Sequence, residues 1–450
     1  MNLDRVHNVY FIGIGGIGMS ALARYFKFIG KQVAGYDKTE TTLTKELVND
    51  GILVHYHDDI HLIPDDFKNI QDTLVVYTPA VPNNHTEYLF FEQHDFQIHK
   101  RSVVLGFITK DSFCLAVAGT HGKTTTSAIL AHLLKECGLP LTAFLGGISE
   151  NFNSNFCIEG NEYTVVEADE FDRSFLHLAP NIACITAMDA DHLDIYGSKE
   201  ALEESFIDFT KNIKENGQLF IRKGLALPGI TYGIEENADY DIKSIRIIDG
   251  IYHFDIHTPT TVVKNVIFKK PGRHNLLNAL AAFAMADAIK CPIEKLVEGL
   301  QSFKGIQRRF SYQVTTAKRI FVDDYAHHPV EIDAVHQAVR EVYPNDKVLV
   351  VFQPHLFSRT KDFADDFAKS LSRFDEVVLL DIYPARELPI EGVTAEWLLQ
   401  KIENEHKQLS TKENLIEHIL KSDARIILTV GAGDIGVEVQ KIKNALLSEN

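Results

Sequence analysis

The chain has 450 residues, 45% hydrophobic and 24% charged, a balance suited to packed domains and unlike that of a disordered chain. Its 62 acidic and 45 basic residues leave a net charge of −17, which excludes general affinity for nucleic acid or anionic lipid. No apolar run approaches the roughly 20 residues of a membrane span, the N-terminus lacks the features of a signal peptide, and the five cysteines show no CxxC spacing, so the expected setting is the cytoplasm, with reduced and mostly buried thiols.

Domains of about 100–200 residues make three the central expectation for this length. Three openings of the form strand, glycine turn, helix divide the chain into 1–108, 109–307 and 308–450. The first is VYFIGIGGIGMSALARYF, followed by the strands QVAGYD and TLVVYTP, and it reads as a parallel α/β unit. Gly13, Gly15 and Gly18, with Gly16 among them, lie between strand and helix, and Asp37 ends the next strand. In the dinucleotide fingerprint such glycines admit a pyrophosphate to the helix N-terminus and the acid binds a ribose hydroxyl. The same geometry suits any nucleoside diphosphate, and a second nucleotide loop lies downstream. A UDP-type ligand is therefore preferred to NAD(P), with Thr78 at the end of TLVVYTP joining the candidate set.

The second opening is an apolar strand from Phe113 to Ala118 that runs into Gly119-Thr120-His121-Gly122-Lys123-Thr124-Thr125 and then a helix. This is a phosphate-binding loop, in which backbone N–H groups close around phosphate oxygens, Lys123 reaches the outer phosphates and the Thr124 hydroxyl ligates Mg²⁺. The match is incomplete, because Val117 stands where the pattern has its first glycine. Glu167 ends the strand of YTVVEAD, and His192 follows that of IACITAMD, so both face the crevice where a parallel sheet binds its ligand. Glu167 and Thr124 offer the hard oxygen ligands that Mg²⁺ prefers, whereas His192 is a less usual ligand. Short alternating segments from Gly217 to Lys270 suggest antiparallel strands, and PGRHNLLNALAAFAMADAI reads as a buried helix headed by Asn275 and Asn278. Their amides, three residues apart, suit adenine or the nucleotide loop, with helix capping as the alternative.

The third opening begins near Phe310, where the strands KVLVVFQP, EVVLLDIY and RIILTVGAGD alternate with helices and imply another parallel sheet. Arg308 and Arg309 precede it and suit ATP phosphates. Asp323-Asp324-Tyr325-Ala326-His327-His328-Pro329 is dense in ionisable groups, and Pro329 is expected to favour a shaped loop. In FQPHLFSRT, His355 and Arg359 follow a strand, and the Arg359 fork suits a carboxylate. Zinc is disfavoured because no third soft ligand stands at metal spacing.

These motifs, GIGGIGMSALA, AGTHGKTTT, VEADEFDRSF, DADHLDIY, GRHNLLNALAA, RRF, DDYAHHP, FQPHLFSRT and GAGD, stand in the order of the Mur ligases, and the chain resembles that family over nearly its whole length. The resemblance implies an α/β fold of three domains: an N-terminal Rossmann-like domain for a UDP sugar, a central P-loop ATPase domain, and a C-terminal Rossmann-like domain that helps bind ATP and an amino acid. It implies an ATP- and Mg²⁺-dependent ligase of peptidoglycan precursor synthesis, joining L-alanine to the carboxylate of UDP-N-acetylmuramate through an acyl phosphate. By position, Lys123 resembles the P-loop lysine, Thr124 and Glu167 ligands of the ATP-bound Mg²⁺, and His192 the holder of a second magnesium. Asn275, Asn278, Arg309 and Asp324 match ATP-site or catalytic positions. His327, His355 and Arg359 match positions around the incoming amino acid, with His327 the candidate for the amine proton. Leu356 stands where some members have a further arginine, and Ile207 where several others carry a carbamylated lysine. The alternatives are ligation of a tripeptide to the same sugar in cell-wall recycling, an NAD(P)-dependent oxidoreductase, and a nucleotide-binding regulator with slow ATPase activity.

Overall fold

The computed structural model describes residues 3–82, 84–189, 193–385 and 387–448. Two compact units emerge, one of Met1–Asp241, Ile256–Val263 and Asn278–Ser302, the other of Ile242–Asp255, Lys264–Leu277 and Phe303–Asn450. No helix among the described residues is long and apolar enough to cross a membrane.

The first unit opens with β1 (Asn8–Ile12), β2 (Gln32–Tyr36), β3 (Leu53–His55), β4 (Thr73–Tyr77) and β5 (Gln97–Lys100). They form a fully parallel sheet in the order β3-β2-β1-β4-β5. β1 is buried throughout because both faces are covered. Val9 and Phe11 pack in one apolar cluster with Leu22 and Phe26, while Tyr10 and Ile12 pack in another with Phe67 and Phe91. A strand in that position reads as a continuous apolar run rather than an alternating one.

Within this unit the second sheet, which has ten strands in all, contributes β6 (Phe113–Ala118), β7 (Leu141–Ser149), β8 (Ser154–Ile158), β9 (Tyr163–Glu167), β10 (Ile182–Ile185), β11 (Gln218–Arg222) and β12 (Ile230–Ile234). Their order is β12-β11-β10-β6-β9-β7-β8, parallel except between β7 and β8. The antiparallel arrangement expected from Gly217 onward is therefore incorrect for β11 and β12, which run parallel to β10. Alternation signals a half-buried strand but not its direction, and residues 223–229 return the chain instead of forming a hairpin. β13 (Tyr240–Ile248), β14 (Ile251–His257) and β15 (Val262–Phe268) follow, over which the chain passes between the units.

Asn155 on β8 fastens the first helix, Ile17–Phe28, to this sheet. Fully buried, it donates to the Ile17 carbonyl and to Ser20 Oγ (3.0 Å) and accepts from Arg24 Nη1 (2.6 Å). Arg24 also pairs with Glu46 (2.9 Å) and Asp50 (3.0 Å). These bonds hold the helix whose N-terminus follows the glycine turn.

In the second unit, β16 (Ser311–Thr315), β17 (Ile320–Asp324), β18 (Val348–Phe352), β19 (Glu376–Leu379), β20 (Lys407–Leu409) and β21 (Ile426–Val430) are ordered β16-β17-β21-β18-β19-β20. Only β16 is antiparallel to its neighbour. Val322, Val350 and Leu428 face one apolar layer, and Phe321, Val351 and Ile427 the other. Pro329 does not sustain a loop as expected. It is the first residue of a helix, Pro329–Val342, capped by His328. Proline is tolerated there because the first helical N–H has no intrahelical partner to lose.

Replacing Asn155 by Ala would leave buried groups of Arg24 and the first helix unsatisfied, at about 1–3 kcal/mol. Asn155→Ala is therefore expected to lower the melting temperature, whereas alanine at exposed Asn49 should leave it nearly unchanged.

Candidate functional site

β6 ends at Ala118, and the next turn adopts backbone that only glycine tolerates well. Gly119 has φ +129°, and a Cβ there would lie 2.1 Å from Thr186 Oγ1. Gly122, at φ +81°, caps the helix Lys123–Glu136, and the Asn278 amide covers it so closely that a Cβ would meet Asn278 Oδ1 at 2.5 Å. Asn278 Oδ1 also accepts from Thr126 Oγ1 (3.2 Å). Buried Thr120 accepts from the Asp189 N–H (3.1 Å), His121 Nε2 lies 3.6 Å from Asp189, and Thr125 sits in the first helical turn.

Lys123 curls back over the turn, donating to the Gly119 carbonyl (2.8 Å) and to both oxygens of Glu170 (2.9 and 2.7 Å). Burial alone would lower its pKa, but Glu170, Asp169 and Glu167 reverse the shift and hold it above the ordinary lysine range. The ammonium is thus charged at neutral pH. Glu170 is wholly buried, and sequence reasoning missed it as a site residue. The density of acids in Glu167-Ala168-Asp169-Glu170, just past a strand end, was the available signal.

Thr124 donates its hydroxyl to both oxygens of Glu167 (3.0 Å each). Gly146 makes room for that carboxylate, since a Cβ there would be 2.0 Å from Glu167 Oε2. A hydroxyl and a carboxylate in contact at the helix N-terminus fit Mg²⁺, which takes a few hard oxygen ligands and fills the rest with phosphate oxygens and water. Among the described residues no group of three or more His, Cys, Asp or Glu could hold a metal by itself. His192, the other metal candidate, lies outside the described residues.

Glu167 also lines a cavity of about 290 Å³ that reaches the first glycine turn. Gly16, Gly18 and Thr78 lie on one side and Phe144, Gly146 and Asp169 on the other, with Arg101 among the lining. Arg101 lies over Gly18, where a Cβ would come within 2.8 Å of its Nη1, so a guanidinium and a helix N-terminus meet in one recess. Arg101 gave no signal in the sequence, because a lone arginine opening a helix has no motif. Gly13 packs against Thr78. Asp37 accepts from the Gly15 N–H (2.7 Å) and the Thr39 N–H (3.1 Å), so its carboxylate ties the glycine turn to β2.

In the second unit the ends of β17 and β18 gather the remaining candidates. Asp323 accepts from Arg308 Nε (3.1 Å) and Thr429 Oγ1 (2.8 Å). Asp324 accepts from the Phe310 and Ala326 N–H groups (2.7 Å each). Burial pushes its pKa up to about 6 against the pull of Arg309 and those two bonds. Arg308 and Arg309 both lie over the Tyr325 ring. Glu331 accepts from the His327 N–H (2.9 Å), lies 3.3 Å from His327 Nδ1 and 3.8 Å from Arg309 Nη1, and so holds both residues. The His327 and His355 rings are 5.9 Å apart, and Tyr383 stacks on His355. Glu331 and Tyr383 were not singled out from the sequence. Leu356 takes φ +70°, a rare conformation for a branched residue, and starts the short helix Phe357–Asp362 that buries Arg359. Asn275 donates to the Pro271 carbonyl (2.6 Å), locking the turn before its helix.

Two outcomes follow from these environments. Lys123→Ala leaves Glu170 buried without its lysine, and breaking such a pair costs about 3–5 kcal/mol. The variant is expected to melt lower, and Lys123→Ala combined with Glu170→Gln to recover much of the loss. For Asp324, the folded pKa lies above the ordinary 3.8, so its contribution to stability is full below that value and is lost as pH rises through about 6. Melting curves between about pH 4 and pH 7 should show Asp324→Asn gaining on the wild type as pH rises, by about 3 kcal/mol at most. A constant difference would contradict the shift.

The comparisons with known proteins agree with this geometry. Residues 8–112 match the model of the Mur ligase family catalytic domain, 117–286 that of the Mur ligase middle domain, and 308–433 that of the Mur ligase glutamate ligase domain. The chain is 60% identical over 446 residues, 99% of each chain, to the UDP-N-acetylmuramate–L-alanine ligase of Flavobacterium psychrophilum. Among solved structures it is similar to the UDP-N-acetylmuramate-alanine ligase of Thermotoga maritima, with a TM-score of 0.83 and 29% identity over 98% of this chain and 100% of that one. A murein peptide ligase of Psychrobacter arcticus shares the fold, with a TM-score of 0.70 and 21% identity over 98% of each chain. Matched by family models along most of its length and by relatives along nearly all of it, the chain belongs to the Mur ligase family.

Proposed function

We propose that this protein is an ATP-dependent ligase that joins L-alanine to the carboxylate of UDP-N-acetylmuramate, releasing ADP and phosphate. One observation carries the reading at the level of geometry: the same cavity is lined by the glycine turn of the first sheet and by Glu167, the carboxylate that accepts from Thr124 of the phosphate loop. A nucleoside diphosphate seated at Gly16, Gly18 and Arg101 would extend its sugar toward Thr124 and Lys123. The relatives that cover nearly the whole chain carry the name of this reaction.

A carboxylate does not acylate an amine unaided, because oxide is a poor leaving group. Transfer of the γ-phosphoryl group from ATP converts that oxygen into phosphate, and the amine of L-alanine then displaces it. In this proposal Lys123 exchanges Glu170 for the phosphates, where a fixed positive charge opposes the charge that develops during transfer. Thr124 and Glu167 would hold Mg²⁺, with His192 assigned to a second ion. When bound, Mg²⁺ neutralises phosphate charge and brings the two anionic reactants together. Gly119, Thr120, His121, Gly122 and Thr125 are assigned to the phosphates, and Asn275, Asn278, Arg309 and Asp324 to the rest of ATP. Gly13, Gly15, Gly16, Gly18, Asp37 and Thr78 are assigned to the UDP sugar, Asp37 also tying the turn to β2. His355 and Arg359 are assigned to L-alanine, and His327, held by Glu331, to the amine proton. The boundaries 1–108, 109–307 and 308–450 and a cytoplasmic location belong to the same proposal.

ADP release measured with each substrate omitted in turn, with the product weighed by mass spectrometry, tests the reading. Release is expected to need both UDP-N-acetylmuramate and L-alanine and to yield their amide. Turnover with a tripeptide but not with L-alanine would transfer the protein to the recycling reaction, and ADP release independent of the UDP sugar would leave only an ATPase.

A further inference from the structure

The chain leaves β18 through Pro354, His355 and Leu356 and then forms the short helix Phe357–Asp362, which carries Arg359. Between the two candidates for the amino acid stands Leu356 at φ +70°, in the left-handed region that a branched side chain rarely enters. Such backbone persists only where its surroundings fix it from both sides. The segment that follows β19 provides this. On the near side the Tyr383 N–H donates to the Pro354 carbonyl (2.8 Å), and the Leu356 N–H donates to the Tyr383 carbonyl (2.9 Å). On the far side the helix has no cap from Leu356, whose side chain offers no acceptor. Glu387 supplies one. Its Oε2 accepts from the Ser358 N–H (2.9 Å) and its Oε1 from the Ser358 hydroxyl.

Tyr383 is braced in turn by the GAGD motif. At Gly433 a Cβ would meet Tyr383 at 2.8 Å and Gln353 Oε1 at 2.4 Å, so only glycine lets the three come together. Buried Gln353 accepts from the Ile435 N–H (2.8 Å) and donates to Asp434 (2.8 Å), which fixes that turn behind Tyr383.

We propose that Glu387 is a positioning residue for the amino-acid substrate, holding the turn at Leu356 so that His355 and Arg359 keep a fixed relation to one another. The proposal rests on the assignment of His355 and Arg359 to L-alanine. Glu387 is half-buried and spends both oxygens on one residue, a two-point contact that fixes direction as well as distance. That residue stands immediately before Arg359, so a displacement of Ser358 carries the arginine with it. The Thr360 hydroxyl does not replace this hold. It donates to the Leu356 carbonyl (2.7 Å), tying the helix to the strained residue but not to the segment after β19. Without Glu387, Leu356 can leave the left-handed region, and Arg359 then shifts relative to His355.

Steady-state kinetics of the full-length protein, with ATP, UDP-N-acetylmuramate and L-alanine varied in turn, test the role. Losing a hydrogen bond to a charged group changes an equilibrium by roughly tenfold or more, so Glu387→Ala is expected to raise the KM for L-alanine by about that factor. The kcat and the KM values for ATP and the UDP sugar should stay within about twofold. Glu387→Gln keeps an oxygen for the Ser358 N–H and an amide N–H for the Ser358 oxygen, and should restore most of the affinity. Ser358→Ala should raise the same KM less, and add little when combined with Glu387→Ala. A glutamine variant as impaired as the alanine variant would put Glu387 on the substrate instead of the turn and overturn the proposal. Equal rises in all three KM values, or a lowered melting temperature with an unchanged KM for L-alanine, would overturn it too. Arg359→Lys separates the two levels of the argument. A raised KM for L-alanine in that variant but not in Glu387→Ala overturns only the role of Glu387, whereas no rise in either overturns the assignment of this turn to L-alanine as well.

Discussion

The nucleotide segment depends on the pairing of one buried cation with a buried acid. Lys123 and Glu170 lie at the mouth of a tight turn, where either charge alone would be costly. Their pairing holds the lysine across the turn, where it also donates to the Gly119 carbonyl. Thr124 and Glu167 repeat the arrangement with a neutral donor, in a space that Gly146 keeps open. Both pairs hold a donor and an acid in contact at the start of the same helix.

The same unit solves a second problem, which is to bring two ligands to one place. β1 and β6 belong to different sheets, and each ends in a glycine turn followed by a helix. Asn155 and Arg24 fasten the first helix to the second sheet, and the first glycine turn shares a cavity with Glu167 at the end of β9. Phe144, Leu145 and Gly146 in the middle of β7 line that cavity beside Glu167. In the second unit Glu331 acts in a comparable way, holding Arg309 and His327 beside the ends of β17 and β18.

Much of this was legible in the sequence because it is local. The glycine turns, the strand that precedes each and the helix that follows each lie within about twenty residues, and glycine and lysine at such spacings have few other uses. Periodicity failed where two structures share it. The segment after Gly217 alternates as a hairpin would, but β11 and β12 pair in parallel. Pro329 was expected to favour a shaped loop, although it begins a helix, because the missing N–H is harmless in the first turn and harmful only later.

By itself, the sequence determined the α/β character of the chain, its phosphate loop, its family and the residue types offered to a nucleotide and a UDP sugar. Tertiary structure alone decided that Glu170 pairs with Lys123, that Arg101 lies over Gly18 and that Glu331 serves two neighbours. Each of these is a single side chain whose partner is set by how helices and sheets pack. A lone Arg or Glu looks the same on a solvent face as in a site, and only burial and the identity of its neighbour distinguish the two.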